Sequence, residues 1–246
     1  MKKPSWEISL GIILIVLSVL LYLLHFVIFR DAHHIFIYLL GDIAFIPMDV
    51  LIVTLIIHKV LVEREKHQIM EKMNMVIGAF FSEVGSQLLE YLMGFDSNLP
   101  QIRTNLIIGK EWTNKDFLDA KKKFKDHDYT IDRKKGDLEK LLIFLKDRRV
   151  FLLRLLENPI LLERQGFTEL LWAVFHFSDE LTHRKDIKNL PDSDYEHLMG
   201  DIKRVYVLLI EEWLDYMKHL QKKYPYLFSL ALRTNPFDSN ANVVVR

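Results

Sequence analysis

The sequence predicts an all-α protein in which a two-helix transmembrane hairpin precedes a cytoplasmic helical bundle. Three observations carry that expectation. Two long apolar stretches lie before residue 62, nearly all charge lies after it, and helical periodicity without a strand pattern runs from there to residue 233. Of the 33 Lys and Arg and 33 Asp and Glu, residues 1–62 hold only four of each sign. This leaves one ordinary soluble domain's worth of chain beyond a membrane module.

The first stretch, Ile8 to Phe29, runs 22 residues without a formal charge. As a helix it covers about 33 Å, enough for a hydrocarbon core of about 30 Å. A cleaved signal peptide is the competing reading, because Lys2 and Lys3 precede the run. The run exceeds a typical signal core and no small-x-small cleavage site follows, so a retained anchor is expected.

The second stretch, Ile35 to Val62, is 28 residues long and is interrupted by Asp42, Pro47 and Asp49. Either it is one tilted or kinked helix, or residues 33–42 lie at the interface and the span proper is Ile43 to Val62. Lys2, Lys3, Lys59, Arg64 and Lys66 flank the outer ends, whereas the connection offers only Arg30 beside Asp31. By the positive-inside rule both termini are cytoplasmic, in a multi-pass cell-membrane protein.

An ionised carboxylate in hydrocarbon costs at least about 2.5 kcal/mol unless it is paired, neutralised or hydrated. Asp42 and Asp49 therefore need partners. Folding the chain about residue 32 brings Tyr22 and His25 to the depth of Asp42, while Asp49 meets only Ser18 or Ile15. Asp49 thus fits an interface between subunits, or a proton or cation path. Asp31, His33 and His34 on the connection could hold a divalent cation, although adjacent histidines there also serve as polar anchors.

Beyond His58, Met70, Met73, Ile77, Phe80, Val84 and Tyr91 keep a heptad-like spacing broken by Gln87. Residues 63–94 are therefore expected to continue the second span as a coiled-coil stalk. Residues 95–233 form the bundle. In it, Gly94 to Pro100 ends the stalk, and Ile102 to Ile108 is a short apolar segment of open type. Thr113 with Asp116 caps a helix to Lys125, and a helix from about Arg133 to Glu157 stops at Asn158-Pro159. A third helix spans Thr168 to Lys185. Ser193 with Glu196 opens the longest, Asp194 to Lys223, whose apolar face runs from Leu198 to Leu220. A short helix follows Pro225, and residues 234–246 form a mobile tail.

Glu169, His176, Glu180 and His183 share one face of their helix, and Glu180 to His183 matches the Glu-x-x-His of di-metal bundles. The second such motif is missing; Asp194 to His197 is the nearest approach. Lys121, Lys122, Lys123, Lys125, Arg133, Lys134 and Lys135 make residues 110–149 net positive, thirteen basic against nine acidic. Facing the inner leaflet they would attract anionic lipid headgroups. Asp126, Asp128 and Asp132 interleave with them and argue against a nucleic-acid groove.

The chain has no cysteine, which removes disulfides and thiolate chemistry together. Phosphate-loop, nucleophile-elbow, zincin and dinucleotide fingerprints are absent too, and no cofactor is expected. The stretches His33 to Pro47 and Leu170 to His176 resemble parts of uncharacterised prokaryotic two-span membrane proteins. That resemblance implies no activity and transfers no functional residue. The expected role is a non-enzymatic, membrane-anchored protein that self-associates and acts in signalling or scaffolding. The alternatives are a small oligomeric channel using Asp49 and a metal-dependent bundle enzyme.

Overall fold

A computed structural model describes residues 6–125, 127 and 129–244. Lys2, Lys3, Asp126 and Asp128, invoked above for orientation and charge, lie outside the described residues. The chain divides into two units, Met1–Lys66 and His67–Arg246.

The first unit holds helix α1, Trp6–Phe29, and the start of helix α2, Ala32–Phe80. Two residues join them. Arg30 adopts a left-handed φ of 50°, and its N–H donates to the Phe26 carbonyl at 2.8 Å, closing the end of α1. Asp31 then caps α2, its carboxylate accepting from the His34 N–H at 3.1 Å. Helix α2 starts here and runs through Pro47. Residues 33–42 are helical like the rest of α2. No residue in the apolar windows of either helix is buried; Ile15, Val27 and Leu40 are 67, 68 and 70% exposed.

The second unit contains the end of α2 and all later elements. A π-helical turn, Phe81–Gly85, links α2 to α3, Ser86–Met93. On an ideal α-helix, successive side chains point about 100° apart, so one face cannot bury two neighbours equally. The wider turn lets both Phe80 and Phe81 bury fully. Phe80 meets Phe167 edge-on with ring centroids 5.2 Å apart, and Phe81 stacks on Tyr216 at 4.8 Å. Gly85 makes this possible, because a Cβ there would sit 2.6 Å from the Phe81 ring.

This corrects the expected stalk. From Met73 onward the segment packs into the domain core, with Met73, Ile77, Val84, Leu88, Leu89 and Leu92 all buried. The heptad spacing records contacts with the bundle, not a separate coiled coil.

Helix α4, Leu99–Arg103, and a 3-10 turn, Thr104–Leu106, account for the short apolar segment. Helix α5, Asn114–Lys125, starts with the expected reciprocal box: the Thr113 N–H donates to Asp116 at 2.6 Å, and the Asp116 N–H to the Thr113 hydroxyl at 3.4 Å. The Thr113 hydroxyl, donating to the Asp116 carboxylate at 2.7 Å, and then the Thr113 N–H hold that carboxyl below its usual range.

Helix α6, Leu138–Leu156, begins later than expected, because Asp137 caps it by accepting from the Lys140 N–H at 3.0 Å. Helix α7 is Gln165–His183, α8 is Asp192–Lys223 and α9 is Pro225–Arg233. The expected Ser193–Glu196 box does not form. Helix α8 starts at Asp192 with Pro191 before it and no side-chain cap. The Asp194 carboxylate near its start is instead taken by Arg184.

Helix α8 is the axis of this unit, with Ile202, Val205, Leu209, Ile210 and Leu214 wholly buried. Helices α3, α5, α7 and α9 all pack against it, and α6 packs on α7. The predicted mobile tail is also corrected in its first part: Asn235 is 2% exposed and Phe237 is fully buried.

Candidate functional site

Helices α7 and α8 are joined by a short loop, and their polar contacts order them antiparallel. Nearest the loop, Arg184 donates through Nε and Nη2 to both Asp194 oxygens, at 2.8 and 2.6 Å. Its Nη1 donates to Glu180 Oε2 at 2.7 Å. One step further, His197 Nε2 lies 3.8 Å from Glu180 Oε2. Beyond that, His176 Nε2 lies 3.7 Å from Asp201 Oδ2.

His176 and Glu180 are four apart on α7, and His197 and Asp201 are four apart on α8. Residues at that spacing share a helix face, so two His-x-x-x-acid pairs confront each other. The remaining edges are His176 Nε2 to Glu180 Oε1 at 3.9 Å and His197 Nε2 to Asp201 Oδ2 at 3.5 Å.

The four environments differ. The two imidazole side chains are about half exposed, at 49 and 52%, whereas the Asp201 carboxylate is 4% exposed. Asp201 Oδ1 accepts from Arg204 at 3.1 Å, but its Oδ2 is buried without a hydrogen bond. The Arg184 guanidinium beside Glu180 holds that carboxyl below its ordinary range, so it stands ionised at neutral pH. A cavity of about 670 Å³ next to His176, walled by Trp172, Val207 and Leu208, leads along the same helix pair.

Two members of this cluster, His176 and Glu180, are among the residues the sequence singles out. Glu169 and His183 fall outside it: Glu169 accepts from Gln165 at 2.8 Å, and the His183 ring bonds the Asp179 carbonyl at 2.8 Å. Their places are taken by His197 and Asp201. The available signal was the second His-to-acid spacing of four, not a second Glu-x-x-His.

The basic segment is partly engaged by the domain's own polar groups. Lys121 pairs with Asp215 at 2.6 Å, Lys125 with Glu211 at 3.4 Å, and Lys123 donates to Asn105 at 3.1 Å. Arg133 pairs with Asp192 and lies over the Tyr195 ring at 4.8 Å. These side chains are engaged by the domain itself, mainly by the acidic face of α8. Lys122, Lys134 and Lys135 remain exposed. Behind Lys121, Arg164 bridges Asp215 and Glu212 at 3.2 and 2.7 Å. Burial pushes the Glu212 carboxyl up, and Arg164 opposes the shift.

In the first unit, Tyr22, His25, His34, Tyr38 and Asp42 line a cavity of about 280 Å³. The His25 and His34 rings stack with centroids 6.0 Å apart. Among the described residues, Asp49 has neither a hydrogen bond nor an ion pair.

The two units define a class: a helical domain continuous in sequence with a pair of long, uncovered apolar helices. Residues 69–233 match the family described as "Uncharacterized protein MJ1433, C-terminal helical domain", and residues 2–61 match "MJ1433, N-terminal helical domain". The chain belongs to this family. It is 48% identical over 244 residues to Uncharacterized protein MJ1433 of Methanocaldococcus jannaschii, covering 99% of this chain and 98% of that one. No solved structure matches. The family descriptions name no activity, so residue roles rest on geometry.

Proposed function

We propose that the protein is anchored in a bilayer by α1 and the first part of α2, self-associates there, and offers its helical domain for signalling or scaffolding on the cytoplasmic side. The observation that carries this reading is the exposure of both apolar helices. Two windows long and apolar enough to cross a membrane have none of their residues buried in the chain. In water, so much contiguous apolar surface would drive aggregation.

Magnitudes favour insertion despite the carboxylates. Residues 8–29 contain seventeen Leu, Ile, Val or Phe, which at about −0.3 to −0.6 kcal/mol each supply about −5 to −10 kcal/mol. Residues 43–62 contain thirteen, supplying about −4 to −8 kcal/mol against about +2.5 to +3.5 for one central Asp. The second span therefore inserts with Asp49 in it, at a reduced margin.

Self-association is supported by Asp49, which has no hydrogen bond or ion pair among the described residues; a second copy can supply one. Signalling or scaffolding is supported by α2, which contributes residues to both units as one helix.

The test is crosslinking in native membranes after an alkaline carbonate wash. The chain should stay with the washed membrane and crosslink to itself, and Asp49→Leu should reduce the dimer band. Release into the wash would refute anchoring. Monomers alone in washed membranes would refute self-association.

A further inference from the structure

From the facing pairs on α7 and α8 we infer that His176, Glu180, His197 and Asp201 form a binding site for a divalent transition-metal cation of the zinc type. The first support is spacing. Ion pairs free to close do so in this same interface, as Arg184 does with Glu180 and Asp194 at 2.6–2.8 Å. The four imidazole–carboxylate edges stay open together, at 3.5, 3.7, 3.8 and 3.9 Å.

A tetrahedral ion with bonds of about 2.0–2.1 Å holds its ligand atoms about 3.3–3.4 Å apart. The edges that can share one ion, at 3.5, 3.7 and 3.9 Å, lie a few tenths of an ångström outside that separation, and gripping it also requires the wider separations, up to 4.8 Å, to close by more than 1 Å as the side chains turn inward. His176, Glu180 and His197 already place one ligand atom each within 4.8 Å of the others.

The second support is Asp201. Its side chain is 4% exposed, and Oδ2 is buried without a hydrogen bond while lying nearest both imidazole Nε2 atoms. A buried carboxylate oxygen left unsatisfied is costly unless something occupies the space it faces. Glu180 divides its oxygens suitably: Oε2 is held by Arg184, and Oε1 faces His176.

The donor set selects the ion. Two imidazole nitrogens with two carboxylate oxygens suit Zn²⁺, Co²⁺ or Fe²⁺, whereas Ca²⁺ and Mg²⁺ prefer all-oxygen shells. The half-exposed histidines give the ion a route in from solvent. Once bound, it would tie α7 to α8, the axis of the domain. Arg184 and Arg204 border the cluster and set a limit, since their charge must be outweighed by four ligands acting together.

The test titrates Co²⁺ and then Zn²⁺ into purified full-length protein in detergent, freed of metal by a chelator. One equivalent of Co²⁺ per chain should bind with the visible absorption of four-coordinate nitrogen and oxygen ligation. Zn²⁺ should displace it and raise the melting temperature. The double variant His176→Ala/His197→Ala should lose both effects, and Asp201→Asn should weaken binding by at least about tenfold. Glu169→Ala and His183→Ala, which alter the neighbouring residues outside the cluster, should bind as the parent does.

If the double variant fails to fold by circular dichroism, His197→Gln carries the same expectation of lost binding. Absence of stoichiometric binding to the parent would overturn the site. So would parental affinity in the folded double variant or in His197→Gln.

Discussion

Phe237→Ala should destabilise the C-terminal unit by about 3–5 kcal/mol, the usual cost of emptying a buried phenylalanine site. The ring is fully buried and lies 5.1 Å from that of Trp213. It is held from several sides. Arg103 Nε donates to the Phe237 carbonyl at 2.7 Å, the Phe237 N–H donates to Asn235 Oδ1 at 2.9 Å, and Asn235 Nδ2 donates to the Leu106 carbonyl at 3.0 Å. Truncation therefore leaves a cavity at the point where the chain end ties α4 to α8. At about 2–4 °C per kcal/mol for a domain of this size, the melting temperature should fall by about 6–20 °C. Val243→Ala, at a side chain 58% exposed, should change little. Equal, small effects for the two variants would show that the segment after α9 is not part of the core.

Gly136→Ala should cost about 1–3 kcal/mol or more, through overpacking instead of a cavity. A Cβ at this position would lie 2.4 Å from three carbons of the Phe95 ring, which is itself fully buried and cannot swing away. The turn also sets Asp137 in place to cap α6, so the strain reaches a helix start. Gly200 is the internal control. It is exposed within α8, and an added Cβ would meet nothing within 4 Å. Gly200→Ala should stabilise by up to about 1 kcal/mol from helix propensity alone. Urea unfolding of both variants checks the opposite signs; destabilisation by both would remove the steric explanation.

How much of this was legible depended on whether the cause was local. The helical class, the Thr113–Asp116 cap, the apolar face of α8 and the proximity of Tyr22 and His25 to Asp42 follow from spacings within one segment or across one turn. The π turn did not show itself, because Phe80-Phe81 reads as two apolar residues until Phe167 and Tyr216 arrive from other helices. The packing of residues 73–92 is hidden for the same reason. Residues at heptad spacing record a covered face without naming the cover, which here is the rest of the domain.

The chain end misled through its composition. Thr234 to Asn242 looks polar, yet Asn235 and Phe237 are fixed by partners more than a hundred residues away in sequence. In the His and carboxylate cluster, Glu180 drew attention to a three-residue spacing toward His183. The fold uses the four-residue spacing to His176 and repeats it on α8. Only the antiparallel register of α7 and α8 brings His197 and Asp201 opposite.

The anchoring proposal is tested most directly by single cysteines, for which the chain offers a clean background because it contains none. Ala32→Cys marks the turn between α1 and α2, and Ser193→Cys marks an exposed position at the start of α8. A membrane-impermeant maleimide applied to intact cells should label residue 32 and leave residue 193 unlabelled until the cells are lysed. Labelling of residue 193 in intact cells, or recovery of both variants in the soluble fraction, would contradict a hairpin anchored with its domain in the cytoplasm.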